Sequence, residues 1–202
     1  MVKTFYSLLN ADIPDDSVIG YRIGCWNWTF LSNRIRFFCF QFYNNSLGIK
    51  TRLAARYRNG GVAMDNFCTF CVKSRCVNPE REDFMHIFYD CQYINGICKR
   101  IFRVYYPPGE NPAAERLTYM TGIVNGSNKI DSFYYLLTSI LCNYTVWQFR
   151  MKKIIPSMAS ITEDMDTLFD SCVDVSQRIS GTVTDASSPI CRRWSARRHG
   201  RG

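Results

Sequence analysis

Residues 67–91 read FCTFCVKSRCVNPEREDFMHIFYDC, and the spacing of four of these residues organises the reading of the whole chain. Cys68 and Cys71 are separated by two residues, Cys71 and His86 by fourteen, and His86 and Cys91 by four. A tetrahedral Zn²⁺ site takes four soft nitrogen or sulfur ligands, commonly delivered as two close pairs. Cys-x₂-Cys supplies one pair from a tight turn. His-x₄-Cys supplies the other only if the helix carrying His86 ends near Tyr89–Asp90. On a continuous α-helix the two side chains would stand about 140° apart. The expected ligands are therefore Cys68, Cys71, His86 and Cys91, holding a structural zinc ion with no position left for water. Cys76 is a possible substitute ligand, and Cys98, one turn into the next helix, is a weaker one. The competing reading is a set of buried free cysteines with a core histidine.

Working outward, the flanking segments read as helices. Leu31 to Leu47 keeps apolar residues at positions 31, 35, 38, 39, 42 and 43, with Ser32 or Asn33 as N-cap and Gly48 as the stop. Asn78-Pro79-Glu80 resembles a helix start, leading to Phe84, Met85, Ile87 and Phe88. Further helices are expected from Tyr93 to Tyr105, ending at Pro107-Pro108-Gly109, and from Asp131 to Lys153. A capping box, Ser160 to Glu163, opens one more towards Arg178. Beyond Gly181 the composition turns to Ser, Thr, Gly and Arg without apolar periodicity, which predicts disorder. The fold class is thus all-α: an irregular helical domain with a Cys/Cys/His/Cys zinc-stabilised turn, a short β-turn element near the cysteine pair, and a disordered C-terminal tail. The segments divide as 1–30 (N-terminal), 31–110 (basic helix and zinc module), 111–180 (helical) and 181–202 (basic tail).

Composition bounds the function. The 202 residues, 47% hydrophobic, can bury a core, and a net charge of +8 makes a polyanionic partner plausible. Ten cysteines are too few for a small disulfide scaffold. Met1–Asn10 has neither a long apolar run nor a small-residue cleavage site, which predicts an intracellular protein, nuclear or cytoplasmic, with reduced thiols. The uncharged stretch 132–149 is punctuated by Ser, Thr, Asn and Gln and reads as a buried helix, so no membrane association is expected. Residues 34–75 carry eight basic groups against Asp65 alone. Arg34, Arg36, Lys50, Arg52, Arg56 and Arg58 alternate there with Phe37, Phe38, Phe40, Phe42, Tyr43 and Tyr57, as in surfaces that clamp phosphates and stack bases. The plainer alternative is a core of aromatics with a solvated basic rim. Phosphate-loop, dinucleotide and metalloprotease motifs are absent, and only His86 and His199 are available for acid–base chemistry. The acid pairs Asp15-Asp16 and Glu163-Asp164 lack the context of a metal-dependent polymerase, so no enzyme activity and no small-molecule substrate are expected.

These residues carry a resemblance. NRIRFFCFQFYNNSLGIKTRLAARY, FCTFC and EDFMHIFYDC are together similar to the zinc-binding segment that follows the polymerase core in non-LTR retrotransposon reverse transcriptases. The matching residues are Asn45-Ser46-Leu47-Gly48, Thr51-Arg52, Cys68/Cys71, Glu82 and His86/Cys91. Asn143 to Trp147 and Arg150 to Ser157 resemble the helix that closes that region. The likeness spans roughly residues 25–160. It implies zinc-stabilised binding of template RNA or target DNA by a fragment or degenerate copy that lacks the polymerase and endonuclease motifs. A zinc-stabilised protein–protein module is the alternative. RNA against DNA preference and oligomeric state are left open.

Overall fold

The computed structural model describes residues 28–57, 65–105, 119–122, 129–180 and 189–199. Its helices are α1 (Asn33–Tyr43), α2 (Lys50–Tyr57), α3 (Thr69–Lys73), α4 (Gln92–Tyr105), α5 (Lys129–Lys152), α6 (Met158–Ser180) and α7 (Pro189–His199), with a π turn at His86–Asp90 before α4. Among the described residues the only β pairing is an antiparallel bridge between Phe67 and Arg81. The all-α expectation holds, and so does the small β element beside the cysteine pair.

Local chemistry sets the boundaries. The Ser32 side chain accepts from the Ile35 amide and starts α1. Asn45, at φ 48°, stops it in a Schellman arrangement, with the Ser46 amide on the Gln41 carbonyl and the Asn45 amide on the Phe42 carbonyl. The stop expected at Gly48 therefore comes earlier, because an asparagine takes the left-handed position. Lys153, at φ 55°, ends α5 by the same device. The capping box of α6 is displaced from its expected place. Ser157 and Ser160 cap each other reciprocally, side chain to amide in both directions, so Ser160 is the third helical residue and not the cap. This puts Glu163-Asp164 beyond the first turn of α6. Residues 78–82 are not helical as Asn78-Pro79-Glu80 suggested. Asp83 is the cap, accepting from the His86 amide at 2.8 Å.

α5 forms the centre, packed chiefly against α6 and also against α1 and the π turn. Its polar residues Thr138, Ser139, Asn143 and Thr145 are buried, which explains why the uncharged stretch 132–149 is only partly apolar. Ser139 and Asn143 donate to the Tyr119 carbonyl and fix the segment 119–122 against the helix. Among the described residues no helix is long and apolar enough to cross a membrane. An aromatic cluster of Phe38 and Phe42 (α1), Phe84, Phe88, and Tyr144 and Trp147 (α5) joins the metal-ligand segment to the helical body. The core is continuous from Leu31 to Trp194.

The C-terminal tail departs from expectation. Residues 189–199 form α7 and bury Trp194 and Cys191. Low average hydropathy hid one large anchoring aromatic. Residues 181–188 and 200–202, residues 1–27 with Asp15-Asp16 and Cys25, and the expected stop at residues 107–109 lie outside the described residues.

Candidate metal centre

Cys68, Cys71, His86 and Cys91 come together, their ligand atoms all within 4.8 Å of one another and all four residues buried. Cys71 Sγ lies 3.2 Å from His86 Nε2 and 3.6 Å from Cys91 Sγ, and Cys68 Sγ lies 3.9 Å from Cys91 Sγ. This cluster can hold a metal ion.

Each candidate ligand is placed by a distinct backbone device. Cys68 sits at the N-cap of α3, its amide bonded to the Glu80 carbonyl at 2.8 Å, while the Glu82 amide reaches the Asn66 carbonyl at 2.7 Å. The two strands of this knuckle thus pair across the Phe67–Arg81 bridge, which is why residues 80–82 are extended. Cys71 follows within α3, so the Cys-x₂-Cys pair shares one turn. His86 and Cys91 are reconciled by the π turn. The Cys91 amide bonds to the His86 carbonyl five residues back, at 2.8 Å, and Cys91 itself is extended (φ −55°, ψ 120°). The wider turn and the stop at Asp90 bring together side chains that an α-helix would hold apart.

The surroundings suit a cation. Hydrogen bonding to Cys91, together with burial, pushes the Cys68 thiol up to about 12, and burial with the neighbouring Cys68 pushes Cys71 up to about 11. Burial lowers His86, but the Cys68 sulfur, Glu80 and Asp83 outweigh it and hold the imidazole above its usual value. Buried thiolates therefore require a compensating positive charge. His86 Nδ1 lies 3.0 Å from Glu80 Oε2, leaving Nε2 aimed at the cysteines. A carboxylate on the far nitrogen is the usual outer partner of a metal-bound histidine.

Behind the cluster lies a buried carboxylate. Glu82 is fully buried; its Oε1 accepts from the Lys50 amide (3.1 Å) and the Arg150 guanidinium (2.5 Å), and its Oε2 from the Thr69 amide and hydroxyl (3.2 and 3.0 Å). One side chain thereby ties the first residue of α2, the residue after the ligand Cys68, and the end of α5. Arg150 also donates to the Gly48 carbonyl and stacks on Trp147. Sequence reasoning flagged Glu82 only through its place in the resemblance. Arg150 likewise enters the sequence reading only within the resemblance and Glu80 only as part of an expected helix start, while the π turn has no signal there; Arg150 as the first charge after the uncharged stretch 132–149 is the available cue.

The remaining candidates separate. Cys76 lies 3.1 Å from Ser74 Oγ, outside the cluster, and Cys98 bonds to the Tyr119 hydroxyl. Among the basic residues, Lys50 pairs with Asp65 (3.0 Å) and donates to the Phe67 carbonyl. Arg52 donates to the Leu47 carbonyl and to Asn45 Oδ1, and Arg36 to Asn33 Oδ1. Arg34 and Arg56 are exposed. Arg58 lies outside the described residues. The aromatic alternation also divides: Phe38, Phe42 and Tyr43 are core, while Phe37 (61% exposed), Phe40 (47%) and Tyr57 (57%) face solvent. No family model matches the chain, and neither a curated protein nor a solved structure matches it, so the likeness to the reverse-transcriptase segment rests on the residues quoted above.

Proposed function

We propose that the Cys/Cys/His/Cys cluster binds zinc and that the module it organises contacts nucleic acid, as the zinc-binding segment of a non-LTR reverse transcriptase would. Three thiolates and an imidazole favour Zn²⁺ over hard cations. Zinc–sulfur bonds of about 2.3 Å in a tetrahedron imply sulfur–sulfur edges of about 3.8 Å. The sulfur–sulfur separations of 3.6 and 3.9 Å straddle that value. A site closed by four protein ligands serves structure and leaves no position for a hydrolytic water, in keeping with a module that binds without catalysis.

The observation that carries the nucleic-acid reading is the outer face of α1 and the end of α2. Arg34, Phe37, Phe40, Arg56 and Tyr57 are all exposed there. Exposed aromatics among arginines offer stacking planes and phosphate contacts together, and an ordinary amphipathic rim would not expose three large rings. Lys50, Arg52 and Arg36 are engaged within the fold, so their part in this surface is to position it. A second reading, a protein–protein module, is favoured by Val77 (94% exposed), Val72 and Phe67 on the knuckle.

Metal content by elemental analysis, beside Cys68→Ser, tests the first half: one zinc per chain, lost in the variant, is expected, and zinc-free folded protein would refute it. Oligonucleotide binding against salt tests the second. Affinity should fall steeply with added salt and weaken in Arg34→Gln/Arg56→Gln, whereas an apolar protein interface would be nearly insensitive to salt.

A further inference from the structure

The last turn of α3 brings one more cysteine beside the cluster. The helix ends in a Schellman turn: the Cys76 amide donates to the Cys71 carbonyl at 3.0 Å and the Arg75 amide to the Val72 carbonyl at 3.2 Å, with Arg75 at φ 56°. In such a turn the side chains of the two outer residues, here Cys71 and Cys76, commonly meet. The hydrogen bond also bounds the backbone. With standard dimensions a 3.0 Å N···O contact places the two Cα atoms at most about 6.9 Å apart, and closer for any bend at the carbonyl. A disulfide spans about 4.4–6.8 Å between Cα atoms. Exposure separates the two thiols. Cys71 is buried, its Sγ 3.2 Å from His86 Nε2 and 3.6 Å from Cys91 Sγ. Among the described cysteines Cys76 alone is not buried, and its Sγ lies 3.1 Å from Ser74 Oγ. Its neighbours Lys73, Arg75 and Val77 are exposed. A partly exposed sulfur among cations is the setting of an oxidisable cysteine, whereas buried structural thiols are inert.

We propose that Cys76 is an oxidation site for hydroperoxides, from which a disulfide to Cys71 dismantles the metal centre, an inference that rests on the zinc reading above. The Cys76 sulfur attacks one oxygen of the hydroperoxide. The O–O bond breaks, the sulfur gains a hydroxyl as a sulfenic acid, and the other oxygen leaves as water or an alcohol carrying the thiol proton. The Cys71 sulfur then attacks the Cys76 sulfur. The S–S bond forms, and hydroxide departs and takes up a proton to become water. The two sulfurs together lose two electrons, and the hydroperoxide gains them. Cys68 caps the opposite end of α3 and Cys91 follows the π turn, so Cys71 is the thiol that the turn presents to Cys76. A disulfide sulfur is no longer the thiolate that a metal requires, so the cluster loses one of its four ligands.

The test exposes the zinc-loaded full chain to hydrogen peroxide. Released zinc is read with a chromophoric chelator, and disulfides are mapped by mass spectrometry of unreduced peptides. The parent should release its zinc as a Cys71–Cys76 disulfide forms, and a dithiol reductant should restore binding. Cys76→Ser should carry zinc as the parent does and keep it under the exposure that empties the parent. Zinc loss from Cys76→Ser as fast as from the parent overturns the proposal, as does release with Cys71 joined to Cys68 or Cys91 instead. Absence of zinc from both Cys76→Ser and Cys76→Ala before any oxidant is added would make Cys76 a ligand, and overturns it as well. A parent chain that binds no zinc at the outset refutes the underlying zinc reading. A parent that binds zinc and keeps it under peroxide refutes this proposal alone.

Discussion

Replacing Glu82 by glutamine keeps the size of the side chain and removes its charge, which isolates what the carboxylate does. Four donors converge on its two oxygens: the Lys50 amide and the Arg150 guanidinium on one, the Thr69 amide and hydroxyl on the other. An amide offers one acceptor oxygen and an NH₂ group, so whichever way it turns, one pair of donors faces another donor. Two hydrogen bonds to a charged group are lost, at roughly 1.5–3 kcal/mol each. Arg150, only 11% exposed, is left without its counter-charge. Breaking a buried pair from one side costs about 3–5 kcal/mol by itself, so the two routes agree on about 4 kcal/mol. That is a large share of the 5–15 kcal/mol that typically separates folded from unfolded chains. Urea unfolding of the metal-loaded chain should show it as a fall of about 2 M in midpoint, for a slope of about 2 kcal/mol/M. Asp65→Asn is the contrast: Asp65 is 56% exposed, so its pair with Lys50 should be worth no more than about 1 kcal/mol. Adding Arg150→Met to Glu82→Gln should cost less than the sum of the two, by at least about 1 kcal/mol. A Glu82→Gln midpoint within about 0.3 M of the parent would refute the claim that this carboxylate joins the three elements.

Glu80→Ala should leave the fold intact but weaken metal affinity about 10–100-fold, read by competition with a chromophoric chelator, because the His86 ring loses the partner on its far nitrogen. An unchanged affinity would count against Nε2 as the ligand atom. Gly122→Ala should cost about 2–5 kcal/mol in a thermal melt: Gly122 has φ +68°, and a Cβ there would sit 2.4 Å from the Leu136 backbone. A Tm within roughly 2 °C of the parent would contradict it. Metal uptake should release at least two protons in weakly buffered solution, since without metal Cys68 and Cys71 stay protonated at neutral pH with values of about 12 and 11. Raised thiol values mean that protons compete better as pH falls, so apparent affinity should drop at least about 100-fold per unit of acidification below neutrality, and a flat profile would show that the thiols are not the ligands.

What the sequence made legible was periodicity and spacing. Buried positions 31, 35, 38, 39, 42 and 43 follow from helical repeat alone, and the four clustered residues follow from the two short intervals around a long one. What it hid were choices between near-equivalent signals. Asn78-Pro79 is a good helix start, but the Cys68 amide needs the Glu80 carbonyl, and an extended segment wins over the local preference. Ser157 and Ser160 both suit a cap, and the first takes it because Ser160 can answer from the third helical position. The π turn leaves no mark in hydropathy, since it inserts one residue into a run in which Ile87, Phe88 and Tyr89 are all buried. In the basic block the helical repeat separates the buried Phe38, Phe42 and Tyr43 from the exposed Phe37 and Phe40. What it could not show is which basic residues are engaged within the fold, as Lys50, Arg52 and Arg36 are.

The cluster does more than close a loop, because its candidate ligands coincide with the ends of secondary structure. Cys68 caps α3, and its carbonyl accepts the Val72 amide at 3.0 Å. Cys91 ends the π turn and begins the next helix, its amide held by the His86 carbonyl and its own carbonyl accepting from Asn95 at 2.7 Å. A metal joining these residues therefore fixes where one helix starts, where the π turn stops and the direction in which α4 departs. α3 is five residues long and could not persist alone. The same constraint reaches the basic face through Glu82, which bonds to the residue beside Cys68 and to the first amide of α2. One chain of contacts from the cysteine–histidine cluster to the exposed Arg56 and Tyr57 thus runs through a buried carboxylate and one helical segment. Metal occupancy and the shape of the basic surface are on this account coupled by hydrogen bonds, without any ligand of the metal touching that surface.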